Sequence, residues 1–258
     1  MLVQILLIFM LSMYAANCIR KGNNAKENQF PYQALINYSS LGSICGGVLI
    51  HKKFVLTAAH CKLPSKPDKN YKVVLGCYRL TDGGQVINII NFIPHPKFNK
   101  FSGTISPHDI ALVEMAKSIK QSPAVKPITL GNLEDCDSLG EAIVSGWGAR
   151  KPYNLKVPNI LQHATVSRIS NKDCTKQLIN VIGDFKPLDD TMICTKSKLN
   201  NNQSTCFGDD GGPLVLVANY RLVGIISWYI PPCGLYDAPS VYTSICAHSD
   251  FIKQHVHF

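Results

Sequence analysis

The chain has 258 residues, of which 46% are hydrophobic and 17% charged, a composition that excludes a disordered polypeptide and allows one large domain or two small barrels. Lys and Arg outnumber Asp and Glu by 26 to 17, and the net charge of +9 favours acidic partners such as acidic protein patches or anionic polysaccharides. The basic residues accompany no nucleic-acid-binding motif, so we expect no nucleic-acid partner.

Residues 1–18 form an apolar run that ends in small residues. The run is too short for a membrane span, and it predicts a signal peptide and a secreted, extracellular protein. Ten cysteines fit an oxidising compartment, and the absence of any CxxC pair argues against a zinc ribbon. We expect no metal, no cofactor and no membrane span.

The remaining sequence alternates short β-branched and aromatic runs with Gly, Pro, Asn and Asp, which predicts an all-β sandwich or barrel. One helix is predicted near Ser249–Val256, and Lys117–Pro127 is a candidate linker between two halves. The predicted strands are Tyr32–Ile36, Gly47–Leu56, Tyr71–Leu75, Val86–Phe92, Ile110–Glu114, Glu141–Gly146, Leu214–Val217 and Leu222–Trp228.

Six motifs then narrow the fold. They are Cys45-Gly-Gly-Val-Leu-Ile with Leu56-Thr-Ala-Ala-His60-Cys61, Asp109-Ile-Ala-Leu-Val, Val144-Ser-Gly-Trp-Gly148, Cys206-Phe-Gly-Asp-Asp210-Gly-Gly-Pro-Leu214, Gly224-Ile-Ile-Ser-Trp228 and Val241-Tyr-Thr. In their order and spacing they resemble the chymotrypsin/trypsin-like serine peptidases over residues 19–258. The resemblance implies two antiparallel six-stranded β-barrels of chymotrypsin type with a C-terminal helix. The N-terminal barrel would cover about 19–122 and the C-terminal barrel about 123–258.

The same resemblance assigns catalytic roles. His60 matches the general base and Asp109 the acid that orients it, but Asp210 stands at the position of the nucleophilic serine. The oxyanion hole would be formed by the backbone N–H groups of Gly208 and Asp210. A carboxylate has no hydroxyl for His60 to activate, and its charge beside or inside the hole opposes the developing oxyanion. We therefore expect a chain that is not an enzyme.

The specificity pocket departs from the family as well. Ser204 matches the pocket floor, where trypsin-like members carry aspartate, and Tyr229 and Ser240 replace two wall glycines. A tyrosine at the entrance is expected to narrow or fill the pocket. The alternative is that a loop movement accommodates it.

The resemblance also matches Ile19 to the amine that inserts after activation and Asp209 to its carboxylate partner. Cys18, not a basic residue, precedes Ile19. Signal cleavage after Cys18 would expose Ile19 directly, whereas cleavage after Ala16 would retain Cys18 and leave the insertion pocket empty.

Disulfide pairing follows from the family too. The expected bridges are Cys45–Cys61, Cys136–Cys246, Cys174–Cys194 and Cys206–Cys233, and Cys77 pairs with Cys18 or stays a thiol. Sequons at Asn37 and Asn202 are candidate glycosylation sites.

These features lead to three functional hypotheses. The first is a catalytically inactive homologue that binds a protein partner as decoy, competitor or regulator, similar to the inactivated protease paralogues of parasitic mites. The second is an azurocidin-like basic binder of heparin-type polymers or surfaces. The third is a serine-type endopeptidase family member with residual activity through unusual chemistry.

Overall fold

Two runs of antiparallel strands each close into a six-stranded barrel. The computed structural model describes residues 18–39, 41–99, 106–149, 157–184, 188–199 and 202–258. After a kinked turn α1 and a two-residue strand β1, the first barrel closes in the order β2-β3-β4-β7-β6-β5. These elements are α1 (Cys18–Lys21), β1 (Asn23–Asn24), β2 (Gln33–Tyr38), β3 (Gly42–His51), β4 (Phe54–Thr57), β5 (Tyr71–Leu75), β6 (Gln85–Pro94) and β7 (Ala111–Met115).

The second barrel follows the order β9-β10-β13-β12-β11-β8, and a β8–β9 pairing closes it. Its strands are β8 (Glu141–Gly146), β9 (Gln162–Ile169), β10 (Met192–Ser197), β11 (Pro213–Leu216), β12 (Leu222–Tyr229) and β13 (Ser240–Ser244). Three helices accompany it, α2 (Leu133–Asp137), α3 (Asn171–Ile182) and α4 (Ser249–His255). The predicted chymotrypsin-type fold of two barrels and a C-terminal helix is confirmed.

Two sequence predictions need correction. The strand predicted over Gly47–Leu56 is a hairpin, because the chain turns at Lys52–Lys53 and Val48 pairs with Leu56 across it. The helix α3 was not predicted. Ser170 begins it by accepting a hydrogen bond from the Asp173 N–H at 3.0 Å, and the helix buries Leu178.

The four expected disulfides are present. They are Cys45–Cys61, Cys136–Cys246, Cys174–Cys194 and Cys206–Cys233. Cys77 is buried as a thiol, and it forms no disulfide within the described ranges.

The barrels meet at a seam of close backbone contacts next to residue 210. The Gly46 N–H donates to the Asp210 carbonyl at 2.8 Å, and the Gly211 N–H donates to the Ile226 carbonyl at 2.8 Å. Gly211 has a φ of 80°, and a β-carbon there would overlap Thr57 Oγ1 and the Gly46 carbonyl. Only glycine satisfies both the backbone conformation and this spacing.

A glycine pair tests the seam. Gly83 has a φ of 78° with nothing within 4 Å of a β-carbon, so Gly83→Ala isolates the cost of the left-handed backbone, about 1 kcal/mol. We expect Gly211→Ala to lower the unfolding free energy by about 1–3 kcal/mol more, because it adds an overlap between the barrels. Denaturant unfolding measures the loss of unfolding free energy in both variants. Equal losses would contradict the close contact of the two barrels at Gly211.

Candidate active site

His60 and Asp109 lie together at the face where the barrels meet. His60 lies in the short turn Ala59–Cys61 after β4, and Asp109 comes two residues before β7. His60 Nδ1 is 2.7 Å from Asp109 Oδ2, and the His60 backbone N–H donates to Asp109 Oδ1 at 2.9 Å. Asp109 is buried, whereas the His60 side chain is 34% exposed. Both carboxylate oxygens thus hold the histidine, and its ring remains accessible.

Two further residues fix Asp109, and the sequence analysis assigned neither. The Ser227 hydroxyl donates to Asp109 Oδ2 at 2.6 Å, and the Thr243 hydroxyl donates to the Asp109 carbonyl at 2.8 Å. Both come from the second barrel, on β12 and β13. Their signal was available, since each lies in a motif that supported the family resemblance.

Asp209 anchors the turn that carries the remaining site residues. Its side chain is fully buried and accepts hydrogen bonds from the Gly148 N–H at 2.8 Å and the Cys206 N–H at 2.9 Å. Its carboxylate lies so close to Gly148 that a β-carbon there would lie 2.5 Å from Oδ2. Burial, then the Asp210 charge, raises the pKa of Asp209 to about 7, although both hydrogen bonds oppose the shift.

The Asp210 carboxyl group lies next to the backbone N–H groups matched to the oxyanion hole. Those of Gly208 and of Asp210 itself stabilise its charged form. Burial raises the pKa of Asp210, while His60 and then the two N–H groups lower it in part. A charged Asp210 would therefore oppose the negative charge that develops on a substrate oxyanion at this place.

The predicted pocket residues surround this turn. Ser204 is buried, and its hydroxyl has no hydrogen-bond partner within the described part of the chain. Tyr229 pairs with Ser240 across β12 and β13, and it packs against the Cys206–Cys233 disulfide. Burial, then the charges of Asp210 and Asp209, raises the pKa of Tyr229. The Ser240 hydroxyl accepts a hydrogen bond from the Thr205 hydroxyl at 3.0 Å.

Ile19 is fully buried in the core of the second barrel, among residues such as Val144 and Tyr242. The following Arg20 donates from its guanidinium to the Cys233 carbonyl at 2.7 Å. The segment matched to the insertion peptide therefore docks on the barrel that contains Asp209. Of the two cleavage sites considered, the Cys18–Ile19 bond lies within the described residues, and the Ala16–Asn17 bond lies outside them.

The two sequons lie on different barrels. Asn37 is half-buried on β2 of the first barrel. Asn202 is half-buried, with a φ of 64°, in the loop after β10. Glycosylation at either stays a prediction.

The comparisons with known proteins agree with this geometry. The family model described as Trypsin matches residues 19–252. Rat kallikrein-8 is 37% identical over 92% of this chain and 85% of its own length, and human kallikrein-5 is 32% identical over 92% of this chain and 75% of its own length. The structure titled neuropsin, a serine protease expressed in the limbic system of mouse brain, superposes with a TM-score of 0.79 at 35% identity, covering 91% of this chain and 98% of that one.

Two six-stranded barrels, with a His–Asp pair of the first barrel held by hydroxyls of the second, define a chymotrypsin-type serine peptidase scaffold. The chain belongs to the trypsin-like serine protease family. None of the helices in the described ranges has the length and apolar character that a bilayer crossing requires.

These comparisons contradict the expectation that the chain is not an enzyme. The relatives it matches over nine-tenths of its length are kallikreins, and the superposed neuropsin is by its title a serine protease. The aspartate at position 210 replaces one chemical group of the family's site, and the chain still belongs to the family. The expectation rested on the missing hydroxyl and on the charge of the Asp210 carboxylate, whereas His60 Nδ1 still lies 2.7 Å from Asp109 Oδ2.

Asp209 gives the site a testable pH dependence. In a chain that begins upstream of Ile19, folded Asp209 keeps its proton up to about pH 7, whereas unfolded aspartate loses it near 3.8. Because the folded chain keeps this proton and the unfolded chain loses it, the unfolding free energy falls as the pH rises between these two pKa values. We expect Asp209→Asn to abolish this part of the slope, measured by denaturant unfolding from pH 4 to 8.

A chain that begins at Ile19 is the matched control. Its amine would lie next to Asp209, lower that pKa and remove the fall in stability. The same slope in both chains would contradict insertion of Ile19 beside Asp209, and N-terminal sequencing of the secreted protein would identify the natural start.

Proposed function

We propose that this protein binds an extended polypeptide of another protein at the face that carries His60 and Asp109, and thereby competes with or regulates related proteases. One observation carries the proposal. The Asp210 carboxyl group lies at the backbone N–H groups of Gly208 and Asp210, which stabilise its charged form, while His60 Nδ1 lies 2.7 Å from Asp109 Oδ2. The family's polypeptide-binding scaffold is thus retained. The N–H groups that would bind the carbonyl oxygen of a substrate, however, lie at the Asp210 carboxyl group.

An exposed aromatic side chain supports a protein partner. Phe207, which directly precedes Gly208 of the hole, is 59% exposed. Exposed aromatic residues at a cleft are frequent anchors of protein interfaces. The net charge of +9 favours an acidic polypeptide and would speed its encounter with the chain.

The chemistry of position 210 limits how a bound polypeptide could be cleaved. The acyl-enzyme route needs a hydroxyl, and Asp210 has none. Hydrolysis at this site would therefore require another nucleophile, for which a water molecule beside His60 is the available choice. Binding and hydrolysis are separable properties, and separate experiments test them.

Secretion belongs to the same proposal. The four disulfides support an oxidising compartment, and the apolar residues 1–18 support a signal peptide. A special link to the mite paralogues stays a prediction.

Two exposed aromatics provide a binding test. We expect Phe207→Asp to weaken binding of fluorescent, unfolded casein at least about 10-fold, because it places a negative charge and removes apolar area beside the hole. Tyr220→Asp is the control, since Tyr220 is 64% exposed in the turn between β11 and β12. Fluorescence anisotropy measures both. Equal effects, or no binding by the natural chain, would contradict the proposal.

Mass spectrometry of the same mixtures tests cleavage. New peptide ends that disappear with His60→Ala would identify hydrolysis through activated water.

A heparin-type partner, suggested by the net charge alone, is tested by salt elution from heparin, where elution at low salt counts against it.

A substitution tests the chemistry at position 210. We expect Asp210→Ser to react with diisopropyl fluorophosphate, because a hydroxyl would lie beside His60 and the hole would be vacated. The natural chain and Asp210→Asn should not react at this position, and His60→Ala should abolish the reaction of Asp210→Ser. Intact-mass measurement detects the adduct. An unlabelled Asp210→Ser chain that folds normally would show that the hole is not available even without the carboxylate.

A further inference from the structure

Three histidines outside the catalytic pair converge at one point. His95 follows β6, His108 directly precedes Asp109, and His248 ends the turn Cys246–His248 that leads into α4. Each offers one ring nitrogen, and these nitrogens lie within 4.8 Å of one another. His108 Nδ1 is 3.0 Å from His248 Nε2, and the His95 ring stacks on the His108 ring with centroids 4.7 Å apart. We call this group the histidine cluster.

The orientation of His248 suits a metal ligand. Its Nδ1 lies 2.6 Å from the Ser244 carbonyl, which can only accept, so Nδ1 carries the proton. The lone pair of the neutral ring is then on Nε2, which points to His108. A backbone carbonyl that fixes the tautomer in this way is the usual outer partner of a metal-bound histidine. Because His248 is only 2% exposed, its ring has little freedom to turn away.

The electrostatic surroundings keep the cluster neutral. Burial is the largest cause that lowers the pKa of all three rings, to about 4 for His95. Lys97 lowers the pKa of His95 and His108 further, while Asp189 opposes the shift at His108 and His248. At neutral pH the rings are therefore unprotonated, which is the form that binds metal ions.

We propose that the histidine cluster binds one divalent transition-metal ion of the Zn²⁺ class through a ring nitrogen of each of His95, His108 and His248. Three imidazoles with solvent in the fourth position are a common tetrahedral Zn²⁺ arrangement. Two nitrogens bound at about 2.0–2.1 Å in that geometry lie roughly 3.3 Å apart, close to the 3.0 Å between His108 and His248.

Binding requires two small local changes. His108 must release the Nδ1 proton that it now donates to His248, and this proton leaves with solvent while the other ring nitrogen keeps or gains a hydrogen. His95 Nδ1 accepts a hydrogen bond from the Lys97 N–H at 3.2 Å, so ligation by His95 weakens or shares that bond. His95 is therefore expected to be the weakest of the three ligands.

The position of the cluster gives the ion a structural consequence. The Ile110 N–H donates to the His108 carbonyl at 2.8 Å, and the His95 N–H donates to the Ile110 carbonyl at 2.9 Å. The ion would thus fasten the backbone on both sides of Asp109 to α4 of the second barrel. A second group, Cys45, His60 and Cys61, also brings ligand atoms together, but its two sulfurs are joined in a disulfide.

Titration with metal tests the proposal. The full secreted chain, treated with EDTA and free of any affinity tag, is titrated with ZnCl₂ by calorimetry and with CoCl₂ by visible absorption. We expect one ion per chain and a tetrahedral Co²⁺ spectrum. His248→Phe and His108→Asn should each weaken binding at least about 10-fold, and His95→Asn should weaken it less.

Three controls separate the cluster from other histidines. His163→Gln, His60→Ala and the double variant His255→Gln/His257→Gln should leave metal binding unchanged. Phenylalanine at 248 keeps an aromatic ring in the packing, and a thermal melt verifies the fold of each variant. If a cluster variant does not fold, ring ¹⁵N shifts of the natural chain with and without Zn²⁺ decide the question. Absence of binding, binding that persists in folded His248→Phe, or loss in His60→Ala would overturn the proposal.

Discussion

The buried carboxylate of Asp209 is the constraint on which the site depends. It has no contact with solvent and accepts hydrogen bonds from the Gly148 and Cys206 N–H groups. These bonds hold the turn 206–210 against the second barrel, and the Gly46–Asp210 bond ties the same turn to the first. The turn held in this position carries Gly208 and Asp210, whose backbone N–H groups stabilise the charged form of the Asp210 carboxyl group.

On this support Asp210 brings a carboxyl group to the position matched to the serine. A serine hydroxyl would leave the N–H groups of Gly208 and Asp210 free for a carbonyl oxygen, whereas in the proposed arrangement the Asp210 carboxyl group lies at both. Under the same proposal, a ligand that needs these N–H groups must first displace that carboxyl group. The family membership, with its kallikrein relatives, and this local chemistry describe different properties. The family membership concerns the ancestry and scaffold of the chain. The local chemistry concerns which nucleophile the site still offers.

The sequence was most informative where a motif fixes both residue type and spacing. The closeness of His60 to Asp109, the four disulfides and the two barrels were expected from such motifs through the family resemblance. The short strands with turn residues between them predicted only an all-β sandwich or barrel. The hairpin at Lys52–Lys53 was missed because two strands adjoin with only two residues between them. Ser227 lies in one of these motifs, but the motif alone does not show its contact with Asp109, which joins residues 118 positions apart. The histidine cluster was invisible for the same reason, since only the fold brings His95, His108 and His248 together.

The central claim is that the Asp210 carboxylate occupies the oxyanion hole, and the backbone amides of Gly208 and Asp210 report on it directly. Their ¹H and ¹⁵N chemical shifts should be followed by NMR during a pH titration of the natural chain and of Asp210→Asn. The account predicts that both amides of the natural chain titrate together, with a midpoint above the ordinary aspartate pKa, and that neither shows this transition in Asp210→Asn. Amide shifts that do not respond to Asp210, or that respond identically in the two chains, would contradict it.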